Sequence, residues 1–328
     1  MLKHTANQIY IAIQKATEIL LIPHQHPDGD TLGAVSSCLH FFSIIGKPAQ
    51  AYCATTISPR LQYLPHVNSI SNDPLIWNNE MIDLLMVFDS GDLRYAGVDH
   101  LLRRMKKRPT IVNIDHHVTN EYFGDYNLVI PNASSTTEIM HRFFMHNKIT
   151  IDKTMATALL TGVLTDTDAF SNAATSSGAL AIGSQLLSRG GNFTKILNAI
   201  WKEKTLSSLK IWGLTFSRLQ KNKAHDIVHT FTTQEDLQRL IVPESELDGV
   251  ANFLNFLNEG KATLILKELP DQTVKGSFRT TRNDVDVSVW AKALGGGGHK
   301  KAAGFAISPP LETAAERIFQ TIEKLSTA

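Results

Sequence analysis

The sequence predicts an α/β protein: a parallel-sheet domain covered on both faces, joined by a helical linker to a smaller C-terminal α/β or α+β domain. Three observations carry that prediction. Apolar runs end in polar loops at ILLIP (19–23), LLMVF (84–88) and TIVNI (110–114), helical stretches lie between such runs, and the texture changes after about residue 222. A parallel strand buried on both faces reads as a continuous apolar run rather than as an alternation.

Taken in order, NQIYIAIQKATEI opens the chain as an amphipathic helix and leads into the first strand, after which LGAVSSCLHFFSIIG reads as the next helix. The strands at 84–88 and 110–114 follow. TMATALLTGVLTD and SGALAIGSQLLSRG then give helices that complete a first domain at 1–190. A helical pattern over 191–222 bridges to the second domain, 223–328, where HDIVHTFT, ATLILKEL and TVKGSFRT read as strands. VDVSVWAKAL reads as a helix, GFAI as a final strand, and 311–326 as a closing helix. In open parallel sheets, ligands collect beyond the carboxyl ends of the strands, where the strand order reverses.

At 328 residues the chain is long enough for two cores, and 43% hydrophobic with 19% charged residues describes a soluble globular protein. Its 32 basic and 31 acidic side chains leave a formal charge of +1, which offers no hold on long nucleic acid and requires any anion to be held locally. The N-terminus lacks the zones of a signal peptide, and no apolar run is long enough to span a bilayer, so the expectation is a cytoplasmic protein with no membrane partner. Cys38 and Cys53 have no metal-ligand spacing and read as buried free thiols.

Four clusters sit where apolar runs meet polar loops. In HQHPDGD, Pro27 and Gly29 bend the backbone so that His24, Asp28 and Asp30 can face one point. VFDSGD offers Asp89, with Asp92 close behind, as a carboxylate able to bridge two cations. In IDHH, adjacent side chains point apart, so one of His116 and His117 can ligate while the other faces substrate or acts as a general acid. TDTDAF brings Asp166 or Asp168, with a helix cap as the competing reading. Carboxylates mixed with imidazole suit two divalent cations, Mn²⁺ first, with Mg²⁺, Co²⁺ or Fe²⁺ as alternative occupants, and paired cations imply hydrolysis of phosphate esters or anhydrides. In the second domain GGGGHKKAAG (295–304) reads as a recognition loop whose glycine N–H groups approach an anion, and Arg279 in GSFRTT is a companion for bidentate phosphate binding.

HQHPDGD, VFDSGD, DHH and TDTDAF in that order, followed by GGGGHKKAAG, resemble the DHH phosphoesterase superfamily with its C-terminal DHHA1 domain, of which RecJ-like proteins are also members. Within it the chain is similar to the bacterial nanoRNase and pAp-phosphatase branch. The resemblance implies one cation on His24, Asp28 and Asp89, and a second on Asp30, Asp89, His116 and Asp166, with Asp89 as the bridge. It makes His117 and Asp89 catalytic and gives substrate contacts to Arg94, Arg279, Gly296, Gly297, Gly298 and His299. After Asp166 the chain reads DTDAFSNAAT, without the arginine that some members carry after the phenylalanine, which removes one candidate for base or ribose recognition.

The implied reaction is attack of a cation-activated water on phosphorus in short oligoribonucleotides or adenosine 3′,5′-bisphosphate (pAp). The implied partner is a small nucleotide or short RNA, not a long duplex; a homodimer is compatible with the sequence. Alternatives are a cyclic-dinucleotide or pApA phosphodiesterase, an inorganic pyrophosphatase and, from another class, a catalytically lapsed nucleotide-binding regulator.

Overall fold

The computed structural model describes residues 2–202, 205–247, 249–308 and 310–326. The chain divides into two compact units, Met1–Glu203 and Lys204–Ala328, and the division falls inside the stretch 191–222.

The first unit is built on five parallel strands: β1 (Glu18–Ile22), β2 (Ala49–Ala51), β3 (Ile82–Phe88), β4 (Thr110–Asp115) and β5 (Tyr126–Val129). Their order is β2-β1-β3-β4-β5, so the direction of winding reverses between β1 and β3. That point is where an open parallel sheet splays its loops apart and leaves a crevice.

One face of the sheet, carrying Ile19, Leu21, Leu84, Met86, Phe88, Val112 and Ile114, is buried under α1 (Leu2–Lys15), α2 (Gly29–Ile44), α4 (Thr136–His146), α5 (Lys153–Asp166) and α6 (Ser177–Ser188). The alternate residues Leu20, Ile22, Leu85, Val87 and Ile111 bury the other face against Trp77, Ala96, Val98 and Leu101. Here the structure departs from the expected helical cover. Apart from the four-residue α3 (Asp99–Leu102), this second face is capped by loops and by the short 3₁₀ turn Pro74–Asn78, which carries Trp77; the turn at Pro59–Leu61 instead packs Leu61 against Leu32 of α2 and Ala158 of α5. The proline-rich stretch 59–78 cannot keep a helical hydrogen-bond ladder, whereas it can form tight turns.

α2 and α5 pack closely because small residues meet between them. A Cβ at Gly33 would lie 2.5 Å from the Ala158 carbonyl oxygen, and one at Gly162 would lie 2.4 Å from Asp30 Oδ1. This contact sets the start of α2, with Asp28 and Asp30, beside the end of α5, with Asp166. A five-residue α7 (Phe193–Leu197) and a π-helical turn at Asn198–Lys202 close the unit.

His141, on α4, is 4% exposed and neither ring nitrogen has a partner among the described residues. Burial, with Arg189 and Arg142 adding repulsion, pushes its imidazole down to about 4. Above pH 6.5 the ring is neutral folded or unfolded and costs nothing. Below it, the unfolded chain takes up the proton first, so stability falls progressively between pH 6.5 and about 4, by about 3 kcal/mol for this one group. We expect His141→Phe to flatten that acid limb in urea unfolding followed from pH 7 to pH 4; an unchanged limb would exclude His141 as its source.

The second unit holds a mixed sheet of β6 (Gln220–Asn222), β7 (Ile227–Thr232), β8 (Ala262–Glu268), β9 (Val274–Arg279), β10 (Gly297–His299) and β11 (Ala302–Ile307), in the order β10-β11-β9-β8-β7-β6. Among the described residues of this unit only β7 and β8 pair in parallel. Its helices are α8 (Leu206–Ser217), α9 (Gln234–Leu240), α10 (Val250–Phe253), α11 (Val287–Ala293) and α12 (Leu311–Ser326). α12 presents Ala314, Ile318, Phe319 and Ile322 at helical spacing to one sheet face, joining Leu264, Phe278 and Phe305 in a single core. The stretch expected as a linker is therefore shared: α7 belongs to the first unit, and α8 and β6 belong to the second.

Candidate metal centre

The loops after β1, β3 and β4 and the end of α5 deliver imidazoles and carboxylates to the crevice at the reversal of winding. Asp28 is the N-cap of α2: its Oδ1 accepts the backbone N–H groups of Asp30 at 2.9 Å and Thr31 at 3.1 Å. Asp89 leaves β3 in a left-handed conformation, φ 56°, which turns the chain sharply off the strand end. Asp166 is the last residue of α5, so the competing reading of it as a helix N-cap does not apply.

Asp89 is 2% exposed, and its two oxygens face different partners. Oδ2 lies 3.5 Å from Nε2 of His24, and Oδ1 lies 3.4 Å from Nε2 of His116. Around these contacts the side chains fall into two groups, His24 with Asp28 and Asp89, and Asp30 with His116 and Asp166. Within each group one ligand atom per residue lies within 4.8 Å of the others. A third such group joins Asp89 to His116 and His117.

Both imidazoles, His24 buried and His116 half-buried, are oriented from behind. Nδ1 of His24 donates to the carbonyl of Gln25 at 2.7 Å, and Nδ1 of His116 donates to the carbonyl of Ala133 at 3.3 Å. Each therefore turns Nε2 toward the carboxylates, the tautomer a metal-binding histidine needs. His117 is set differently. Its Nδ1 lies 2.7 Å from Oδ1 of the fully buried Asp115, whose Oδ2 accepts from Asn120 Nδ2 at 2.6 Å.

The charge balance gives a second test of whether cations fit. Burial disfavours charge on His24 and His116, yet Asp28 and Asp89 push the first up to about 12, and Asp89, Asp166 and Asp30 push the second up to about 11. Burial and the neighbouring Asp89 raise Asp30 to about 7, and burial with Asp30, Asp28 and Asp89 holds Asp166 well above the usual carboxylate range. Asp89 alone is driven below that range, where His116 and His24 outweigh its burial. The cluster thus carries more negative charge than its imidazoles neutralise, and protons fill the deficit. Hard oxygen donors, imidazole nitrogens and uncompensated negative charge together fit divalent cations.

The sequence reading missed the helix behind the centre. Asp30 Oδ2 accepts the backbone N–H of Thr136 at 2.6 Å, and its Oδ1 accepts the N–H and hydroxyl of Thr137 at 2.9 and 2.6 Å. The Thr136 hydroxyl donates to Asp89 at 3.0 Å. The start of α4 therefore holds two carboxylates, Asp30 with its free N–H groups and Asp89 with the Thr136 hydroxyl. A signal was present: STTE at 135–138 is a capping-box pattern, and Ser135 does cap the helix.

Of the residues expected at the substrate, Arg94 lies in the loop after β3, paired with Asp92 at 3.4 Å and Glu121 at 3.2 Å. Arg279, Gly296, Gly297, Gly298 and His299 lie in the second unit. The glycine run is not a loop, as expected, but leads into a hairpin: Gly297–His299 form β10, paired antiparallel with β11. The reason is steric. A Cβ at Gly296 would lie 2.1 Å from the Gly304 carbonyl oxygen, and one at Gly298 would lie 2.6 Å from that of Ala302, so these strands approach only because the side chains are missing. Arg279 and His299 each pair across from Ala302, which puts both on one sheet face. The Arg279 guanidinium donates to the Phe278 carbonyl at 3.0 Å and has no carboxylate partner among the described residues.

Residues 18–163 match the DHH family, N-terminal domain, and residues 227–327 match the DHHA1 domain. The chain belongs to the DHH phosphoesterase superfamily. Among its DHH relatives is the bifunctional oligoribonuclease and PAP phosphatase NrnA of Thermus thermophilus, 27% identical over 96% of this chain and 93% of the relative. The cyclic-di-AMP phosphodiesterase GdpP of Bacillus subtilis is 25% identical over 95% of this chain, which spans 48% of that longer protein. An exopolyphosphatase-related protein from Bacteroides fragilis has the same fold, with a TM-score of 0.90, 21% identity, and coverage of 98% of this chain and 96% of that one. No described helix is long and apolar enough to cross a membrane.

Proposed function

We propose that this DHH–DHHA1 chain is a divalent-cation-dependent phosphoesterase that hydrolyses small nucleotide substrates, short oligoribonucleotides and adenosine 3′,5′-bisphosphate, with two cations, Mn²⁺ first, at the centre described above. The observation that carries the reading is Asp89, whose two oxygens face His24 and His116 in separate ligand groups. His24, Asp28 and Asp89 would hold one cation. Asp30, Asp89, His116 and Asp166 would hold the other. When bound, such a pair supplies Lewis-acid charge and a water acidic enough to ionise near neutral pH.

The chain's own groups do the rest. The Gln25 and Ala133 carbonyls fix the ligating faces of His24 and His116, and the start of α4 fixes Asp30 and Asp89. His117, raised toward its charged form because Asp115 and Asp89 outweigh its burial, carries a proton for the leaving oxygen. Arg279, half-buried and with no carboxylate partner among the described residues, would supply a bidentate donor for a substrate phosphate, with Gly296, Gly297, Gly298 and His299 on the neighbouring hairpin.

One panel tests this. Initial rates are compared for pAp, short oligoribonucleotides, pApA, cyclic di-AMP and pyrophosphate, with Mn²⁺ and then with excess chelator. Release of phosphate or mononucleotide that needs the cation is expected, and the preferred substrate separates the oligoribonuclease reading from the dinucleotide alternatives. Cation-independent binding without turnover would support a lapsed regulator instead. A preference for pyrophosphate over every nucleotide would overturn the proposal.

A further inference from the structure

Tyr95 stands beside the metal centre with 53% of its surface exposed. One side of its ring lies against His24, with ring centroids 5.2 Å apart and planes tilted by 35°. The loop that carries it is pinned on both sides. Gln25 donates its backbone N–H to the Tyr95 carbonyl at 3.2 Å and its side-chain amide to the Arg94 carbonyl at 2.9 Å, while Asp92 Oδ1 accepts the N–H groups of Arg94 and Tyr95, both at 2.7 Å. At Gly97 the backbone has φ +74°, and a Cβ there would lie 2.7 Å from Gln25, so the loop seats closely on the residue that orients His24.

A large aromatic ring that is half exposed yet held still by its backbone has little freedom left to lose when a flat ligand lies on it. We propose that Tyr95 forms a nucleobase subsite, stacking the base of the nucleotide whose phosphate occupies the centre. The proposal rests on the phosphoester reading above and extends it to the part of the substrate that does not react. His24 touches both the Tyr95 ring and Asp89, so a phosphate at the cluster would have its own base within about one ribose of the exposed tyrosine. Stacking uses the π-face that every base shares, so this subsite demands a base without choosing strongly among them.

The test uses the full chain loaded with Mn²⁺ and the panel substrate that turns over fastest. Inhibition by AMP is compared with inhibition by ribose 5-phosphate, which has the same phosphate and sugar but no base. Tyr95→Ala should weaken AMP about tenfold and leave ribose 5-phosphate unchanged, with kcat within about twofold of wild type; Tyr95→Phe should restore AMP inhibition. Equal weakening of both inhibitors would mean that Tyr95 only supports the loop, and unchanged AMP inhibition would mean that the base lies elsewhere. Either result overturns the subsite while leaving turnover, and with it the phosphoester reading, intact. Absence of turnover on every nucleotide would overturn both together.

Discussion

Replacing Asp89 with alanine should lower cation-dependent turnover by at least about a thousandfold, equivalent to about 4 kcal/mol of lost transition-state stabilisation. No other carboxylate in the cluster faces both imidazoles, Oδ2 toward His24 and Oδ1 toward His116. Its loss also strands the Thr136 hydroxyl and removes one of the negative charges that raise both rings, the others being Asp28 beside His24 and Asp166 and Asp30 beside His116. The effect should therefore be visible without any substrate. Metal analysis of the purified variant should find clearly less bound Mn²⁺ than in wild type, while circular dichroism shows the fold retained. Near-normal turnover by Asp89→Ala would sink the assignment of this centre.

His117→Ala should cost about a hundred- to ten-thousandfold in kcat, the range for losing a positioned general acid, with Mn²⁺ content unchanged. The contrast with its neighbour is the informative part. His116 turns Nε2 into the cluster, where Asp89 and Asp166 lie 3.4 and 3.3 Å away, so His116→Ala should lose metal as well as rate. His117 is instead held through Nδ1 by Asp115, itself fixed by Asn120. If the two alanine variants lost Mn²⁺ to the same extent, His117 would be a ligand and the proton would have to come from elsewhere.

Much of this was legible in the residues. ILLIP, LLMVF and TIVNI gave the central strands because an apolar run bounded by polar loops is a local property that survives into the fold. HQHPDGD, VFDSGD, DHH and TDTDAF named the groups that meet, since each lies at the end of an element that its own neighbours specify. Less was legible where the answer depended on a distant backbone. Asp92 and Asp168 compete with Asp89 and Asp166 in the sequence, whereas in the fold it is Asp89, one residue after β3, and Asp166, the last of α5, that fall into groups with the imidazoles. Glycines 295–298 suggested a loop that binds by exposed N–H groups; half of them instead allow two strands to approach. The segment 59–78 has no periodicity that shows its place, yet its Pro74–Asn78 turn lays Trp77 on a sheet face and its Leu61, Leu64 and Val67 pack with Leu32 and Ala158.

The sequence by itself determined the chemistry: which donors exist, that each follows a strand or ends a helix, and that hard oxygens and imidazoles are mixed in the proportion cations need. Only the tertiary structure decided their partition. Asp30 is held by backbone N–H groups more than 100 positions later in the chain, and Asp89 shares its oxygens between His24 and His116 because β1, β3 and β4 lie side by side at the reversal of winding. Residue type fixes what an atom can bind, whereas strand register and helix packing fix which atoms lie within bonding distance. These depend on the burial of the whole sheet rather than on any motif.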